Sequence, residues 1–364
     1  MRDIDRIRHA LSAAAIRNES VVLVTVLGVE GSVYRGAGAR MLVTGNAETV
    51  GAVSGGCLEA DIVARAPDVV ASGKAELARY DTRASDDVVL GLGLGCQGII
   101  DLLLEPLTGA ALRDAANFYA WLATRRETVT LMTLLRADGG DPPVGARLVL
   151  DAAGNVLEGD ARLLARPADA AHEVVHPATP LVVCGAGTDA IPLVRLAKLL
   201  GWHVTVVDHR SAFLTRERFP DADALVHANA ANDAAALAPI GLDTRTMGVV
   251  MAHSASHDRA YLHALLDAGA AYIGVLGPRR RTMELLGERA AAGELPDAVH
   301  APVGLDLGAE SPEEIALAIV AEIAAVRASR VGGSLRDRGG PIHDRSRSNS
   351  AIAATDLDAQ RSGR

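Results

Sequence analysis

Aromatic residues are scarce in this sequence: Phe, Trp and Tyr make up 3% of its 364 residues. Its cores must therefore be filled by aliphatic side chains, and small branched ones suit buried parallel α/β sheets. Long apolar runs are missing too. No stretch approaches the roughly 18–20 unbroken apolar residues of a membrane helix. The N-terminal MRDIDRIRHALSAAAIRN interleaves charges with apolar residues, where a signal peptide has an uninterrupted apolar centre. A cytoplasmic protein with no membrane partner is expected. Positive charge is not in excess: 36 Lys and Arg against 45 Asp and Glu leave a net charge of −9, the wrong sign for a nucleic-acid footprint. The three cysteines, Cys57, Cys96 and Cys184, are too few and too irregularly spaced for a disulfide framework or a four-cysteine zinc site.

What is present divides into parts. A prior of roughly 150 residues per domain suggests two domains. Ile4, Ile7, Leu11 and Ala14 follow Asp3 at helical spacing, with Asp3 as the expected N-cap. SVVLVTVLGVEG reads as a strand, and ARMLVTGNAETVGAVSGG as two strands joined at Gly45-Asn46. LEADIVARAPDVVASG reads as a helix that Pro67 interrupts or kinks, and GIIDLLLEP as a strand ended by Pro106. After HEVVHPATP the pattern changes to strands alternating with helices. In the last helix Ser311, Pro312 and Glu314 form a capping box ahead of Ile315, Ile319 and Ile323. The expected organisation is a mixed α/β domain with its linker over 1–176, a parallel-sheet domain over 177–330 and a disordered tail over 331–364.

The second domain carries Cys184-Gly185-Ala186-Gly187-Thr188-Asp189-Ala190 directly after the strand LVV. This matches G-x-G-x-x-G/A, and Asp208 ends the next strand where a ribose-binding acid is expected, so the domain reads as Rossmann-like. Gly185 would make the tight turn and Gly187 would admit a pyrophosphate at the helix N-terminus. Asp189 fits awkwardly, because a carboxylate there repels phosphate. Two further strand ends, His253-Ser254-Ala255-Ser256-His257-Asp258 and Gly277-Pro278-Arg279-Arg280-Arg281, offer either ligand contacts or ordinary capping and solvated charge.

The first domain holds two glycine-rich cysteine loops, AVSGGCLE and GLGLGCQG. Cys57 stands where Gly55-Gly56 gives way to a helix, whose N-terminus favours a thiolate. Glu59 either caps that helix or acts on a bound group. Cys96 stands in a similar loop where Gly91, Gly93, Gly95 and Gly98 leave little side-chain bulk, but without an equally clear helix dipole. GSVYRGAGARM places Arg35 and Arg40 in a candidate anion cradle, although Arg40 equally suits a neighbouring carboxylate.

These segments resemble the XdhC/CoxI family of accessory proteins for molybdenum hydroxylases. The resemblance rests on GSVYRGAGARMLV, VSGGCLEADIV, GLGLGCQGIIDLLLEP, LVVCGAGTDAIPLVRLAKLLGWHVTVVDHR, AYIGVLGPRRR and PVGLDLGAESPEEIALAIVAEI, in family order. It implies an N-terminal XdhC/CoxI-type domain followed by a Rossmann-like one. It also implies a carrier of molybdenum cofactor, a molybdopterin, that supports its sulfuration and inserts it into a client; turnover catalysis is not implied. Carried onto this chain, Cys57 and Cys96 become molybdenum or sulfur contacts beside Gly55 and Gly56. Arg35 and Arg40 lie near phosphate or pterin, and Gly185, Gly187 and Asp208 form a nucleotide-like pocket. The implied partners are an apo molybdenum hydroxylase, a cysteine desulfurase and a second copy of the chain. The chain departs from the family pattern at Gln97, Thr188, Ala252, Pro278 and Arg281. A nicotinamide-dependent oxidoreductase built on GAGTDA and Asp208 is the competing expectation. A purely structural role in assembly is a weaker one.

Overall fold

In the computed structural model, which describes residues 2–81, 97–137, 141–229, 234–290 and 293–339, the described residues form two units, 2–177 and 178–339. The N-terminal unit is organised by the strand β1 (Val21–Ser32), whose alternating side chains face two different cores. Val22, Val24 and Val26 face α2 (Glu59–Ser72), while Val21 and Leu23 face α1 (Asp3–Ile16) and α3 (Gly109–Ala123). With β2 (Arg40–Val43), β3 (Thr49–Gly51), β4 (Glu76–Asp81) and β5 (Gln97–Leu107), β1 makes an antiparallel sheet of order β3-β2-β1-β5-β4. A second antiparallel sheet, order β8-β7-β6-β9, comprises β6 (Val129–Leu134), β7 (Arg147–Leu150), β8 (Val156–Gly159) and β9 (Ala170–Val175).

Three local expectations change. Asp3 is the first residue of α1, not its cap, and pairs instead with Arg35. Pro67 neither ends nor divides α2. Burial of Ile62, Ala66 and Val69 on one stripe holds the helix together across it, and Pro67 itself is exposed. Pro106 lies inside β5, opposite Val22. It is tolerated because the β4 ladder begins only at Leu104, so Pro106 has a strand neighbour on one side and no hydrogen bond to lose on the other.

Buried ion pairs tie the two N-terminal sheets together. Arg40 of β2 pairs with Glu173 of β9, and Arg147 of β7 with Glu105 of β5 at 2.6 Å. The Tyr119 ring lies 5.4 Å from both guanidinium groups. Burial raises the Glu105 carboxyl, and the charges of Arg147 and Arg40 act against that rise.

The second unit is a six-stranded parallel sheet of order β12-β11-β10-β13-β14-β15. Its strands are β10 (Pro180–Cys184), β11 (His203–Asp208), β12 (Ala224–His227), β13 (Met247–Val250), β14 (Tyr272–Val275) and β15 (Val299–His300). This is the Rossmann order, with the direction of winding reversing between β10 and β13. Helices α4 (Ala190–Leu199) and α7 (Pro312–Arg327) cover one face. Helices α5 (Ala255–Asp267) and α6 (Arg279–Leu286) cover the other.

The capping box of α7 forms as read from the sequence: Ser311 accepts from the Glu314 N–H, and the Glu314 side chain accepts from the Ser311 N–H at 2.9 Å. Ser311→Ala is expected to cost about 1 kcal/mol, measurable as a small drop in the denaturant midpoint. No change in midpoint would mean that the box contributes nothing. Residues 340–364, most of the expected tail, lie outside the described residues.

Candidate functional site

The loop from Val53 to Leu58 is held by two side chains. The hydroxyl of Ser54, itself buried, accepts from the N–H groups of Gly56, Cys57 and Leu58 at 3.2, 3.1 and 3.1 Å. That hydroxyl in turn donates to Glu59, whose carboxylate also accepts from the N–H groups of Val53, Ser54 and Leu58. Burial opposes ionisation of Glu59, but these hydrogen bonds prevail and hold its carboxyl below the usual range. Glu59 is therefore the clamp of the loop, the capping alternative read from the sequence. The donors expected to favour a thiolate at Cys57 are engaged within the loop, and a carboxylate occupies the first turn of α2.

Cys57 is a free, half-buried cysteine at the rim of the α2 core. The two glycines before it serve differently. Gly56 takes a φ of +108° with open space where a side chain would stand, which leaves the loop accessible beside Cys57. Gly55 backs onto Tyr34, where an added Cβ would lie 3.5 Å from the ring. Through that contact the cysteine loop meets the Val33–Ala39 loop, and Tyr34 is otherwise 72% exposed.

Arg35 lies in that second loop and lines a polar hollow of about 290 Å³ with Asp3, Tyr34 and Glu173. Its guanidinium pairs with Asp3, while its Nε is buried without a partner. Arg40 takes the carboxylate-paired alternative. It is fully buried, bonded to Glu173, to the Gly38 carbonyl at 2.7 Å and to the Tyr119 hydroxyl at 3.2 Å. A ligand would have to displace Glu173 to reach it, so its visible role is to fasten β2 to β9. Cys96 lies outside the described residues; β5, the strand that follows it, begins at Gln97 opposite Ser32, where β1 runs into the Arg35 loop.

In the second unit the ends of β10, β11, β13 and β14 converge on the point where the strand order reverses. Gly185, with φ +133°, is required there because a Cβ would come 2.4 Å from the Met251 carbonyl oxygen. Asp208 departs from its expected role as a solvated ribose acceptor. It is 0% exposed and accepts from the Ala186 N–H at 2.7 Å, from the Arg210 N–H at 2.8 Å and from the Arg210 guanidinium at 2.9 and 3.0 Å. Burial alone would raise its carboxyl, but these donors outweigh burial and lower its pKa to about 2. Asp208 pins the glycine turn to β11.

Asp258 behaves similarly. It is buried in the first turn of α5, where it accepts from the Ala252 N–H at 2.9 Å and pairs with Arg281 at 2.5 Å. His257 is stacked on His209 with ring centroids 3.8 Å apart, and burial followed by that neighbour lowers its pKa. Among the described residues no group of three His, Cys, Asp or Glu is placed to hold a metal ion. Cys184 is a core residue whose thiol burial pushes up, with the Asp258 charge adding to the rise.

Sequence reasoning passed over Ser54, Tyr34 and Glu173. A serine just before Gly-Gly, with a glutamate at the start of the helix, is the signal that would have found the first. The pairing of Glu173 with Arg40 spans 133 positions and has no local signal.

A model of the XdhC Rossmann domain matches residues 181–323, and a model of the XdhC and CoxI family matches residues 14–81. The chain is 31% identical over 338 residues to a probable xanthine dehydrogenase subunit of Bacillus subtilis (strain 168), covering 88% of this chain and 97% of that protein. It is 26% identical over 318 residues to the molybdenum cofactor insertion chaperone PaoD of Escherichia coli (strain K12), covering 86% of each. A crystal structure described as a xanthine dehydrogenase from Bacillus halodurans superposes with a TM-score of 0.76 at 30% identity, over 92% of this chain and 98% of that one.

Proposed function

The chain belongs to the XdhC and CoxI family, and we propose that it carries molybdenum cofactor as cargo and inserts it into an apo molybdenum hydroxylase of the xanthine dehydrogenase or CO/aldehyde dehydrogenase type. The observation that carries this reading is the Val53–Leu58 loop. It presents a half-buried free thiol beside the open face of Gly56, in a backbone fixed by Ser54 and Glu59. A sulfur ligand suits a soft or borderline metal, and a metal deprotonates the thiol that binds it. Arg35, one third exposed beside the polar hollow, is the proposed contact for the phosphate of the cargo. That PaoD is a cofactor-insertion chaperone supports the reading.

Sulfuration of the cargo while it is held, with a cysteine desulfurase as donor, is the finer part of the proposal, as is self-association of the chain. No helix among the described residues is long and apolar enough to cross a membrane.

The test is to purify the protein gently from cells that make the cofactor. Bound molybdenum would be measured by elemental mass spectrometry and pterin by fluorescence after oxidation. Both should be present, and addition to apo client should restore client activity. Protein free of both metal and pterin, and unable to activate the client, would overturn the reading.

A further inference from the structure

The glycine turn of the Rossmann-like unit has the backbone of a dinucleotide site but a different occupant. Gly187 is the residue whose missing side chain would let a pyrophosphate approach. In this chain that space is filled from within: a Cβ on Gly187 would lie 2.4 Å from Asp189 Oδ1. The Asp189 carboxylate folds back over the turn ahead of α4, and His253 Nε2, reaching from the end of β13, holds its other oxygen at 2.9 Å. His253 has a left-handed φ of +57°. Asp208, fully buried beneath Arg210 with its oxygens already accepting from backbone and guanidinium, lends no ribose contact, so the glycine turn alone decides whether a dinucleotide can be held.

We infer that Asp189, latched by His253, is the specificity-determining residue that closes a latent dinucleotide site. A negative carboxylate stands where a negative pyrophosphate would sit, and it fills the space as well as opposing the charge. The Rossmann-like unit of this chain therefore does not use a nicotinamide or flavin dinucleotide, and the nicotinamide-dependent oxidoreductase reading loses its binding site. This inference is independent of the cofactor-carrier proposal, which draws on the other unit.

The experiment titrates the full chain with NADH, followed by nicotinamide fluorescence, for wild type, Asp189→Ala and Asp189→Asn. Wild type should show no saturable signal into the millimolar range. Asp189→Ala removes both bulk and charge and should tighten binding by at least about tenfold. ADP-ribose, which carries the pyrophosphate without the nicotinamide, should compete for that new site. Asp189→Asn should gain less, because the amide still fills the space. Saturable micromolar binding of NADH by wild type would overturn the inference. So would a folded Asp189→Ala protein, with unchanged melting, that gains nothing. If the alanine variant does not fold, the asparagine variant decides: no gain on removing the charge alone is equally fatal to the proposal.

Discussion

Cys57→Ser folds like wild type and delivers little cofactor: client activity in cells carrying the variant should fall at least about tenfold, with molybdenum lost from the purified protein in parallel. The fold is spared because Cys57 only borders the α2 core, and exchanging sulfur for oxygen at a half-buried position should cost under about 1 kcal/mol. Function is not spared because the loop supplies nothing else of the same chemistry. Its N–H groups at 56, 57 and 58 are bound to Ser54, and the carboxylate of Glu59 is bound to the backbone. A serine hydroxyl is a hard, protonated ligand, whereas a thiol is deprotonated by the metal it binds.

Cys184→Ser makes the opposite case. That residue lies in the core of β10 at 2% exposure, so a hydroxyl there should cost about 1–3 kcal/mol of stability while the surviving protein matures its client. The measurements are client activity, bound molybdenum and thermal melting on each variant. Full client activity from Cys57→Ser would remove the thiol from the mechanism.

Legibility in the sequence followed the range of the interactions involved. Helix faces and strand runs are local, so the buried stripe of α1, the hairpin of β2 and β3 and the capping box of α7 were readable from spacing and turn residues. The Rossmann-like parallel sheet of the second unit followed from a strand–glycine turn–helix–strand unit in its proper context, while its strand order is seen only in the fold. Prolines were misread where the sequence could not show which neighbours a strand or helix would have. Pro106 is harmless only because β4 stops at its pairing with Leu104, and Pro67 only because α2 is buried on its opposite side.

Charged residues were hardest to place. Asp208 reads as a ligand-binding group because a strand-end acid after a glycine turn suggests a sugar, whereas Arg40 and Asp258 each leave a structural alternative open, a carboxylate pair and a helix cap. Each meets a partner that only the tertiary fold provides: the glycine-turn N–H of Ala186, Glu173, and Arg281. The awkwardness of Asp189 was visible in the sequence, but the histidine that holds it was not recognisable as its partner.

Asp208→Ala is expected to destabilise the Rossmann-like unit by about 1–3 kcal/mol, the range for leaving a buried donor without its acceptor, because the Arg210 guanidinium is itself partly exposed and can return to water. Removing the carboxylate strands the buried N–H of Ala186 and that of Arg210 and frees the guanidinium that covered them. It also unties the glycine turn from β11. Trp202 is buried in this unit's core and the only other tryptophan, Trp121, belongs to the N-terminal unit. Fluorescence in a Trp121→Phe background therefore reports the transition selectively.

The dependence on pH provides a second reading of the same bond. The folded pKa of Asp208 is lowered to about 2, below the roughly 3.9 of an unfolded aspartate. Its contribution is thus complete above about pH 4 and is lost as pH falls from there towards 2. One depressed carboxyl of this size accounts for about 2 kcal/mol. Wild type should lose stability over that interval more steeply than Asp208→Asn, which has no proton to take up. The Trp202 melting curves of the two proteins should therefore converge at the acid end. A variant as stable as wild type at neutral pH, with the same acid limb, would mean that Asp208 is not the fastening of the glycine turn and is free to serve a ligand after all.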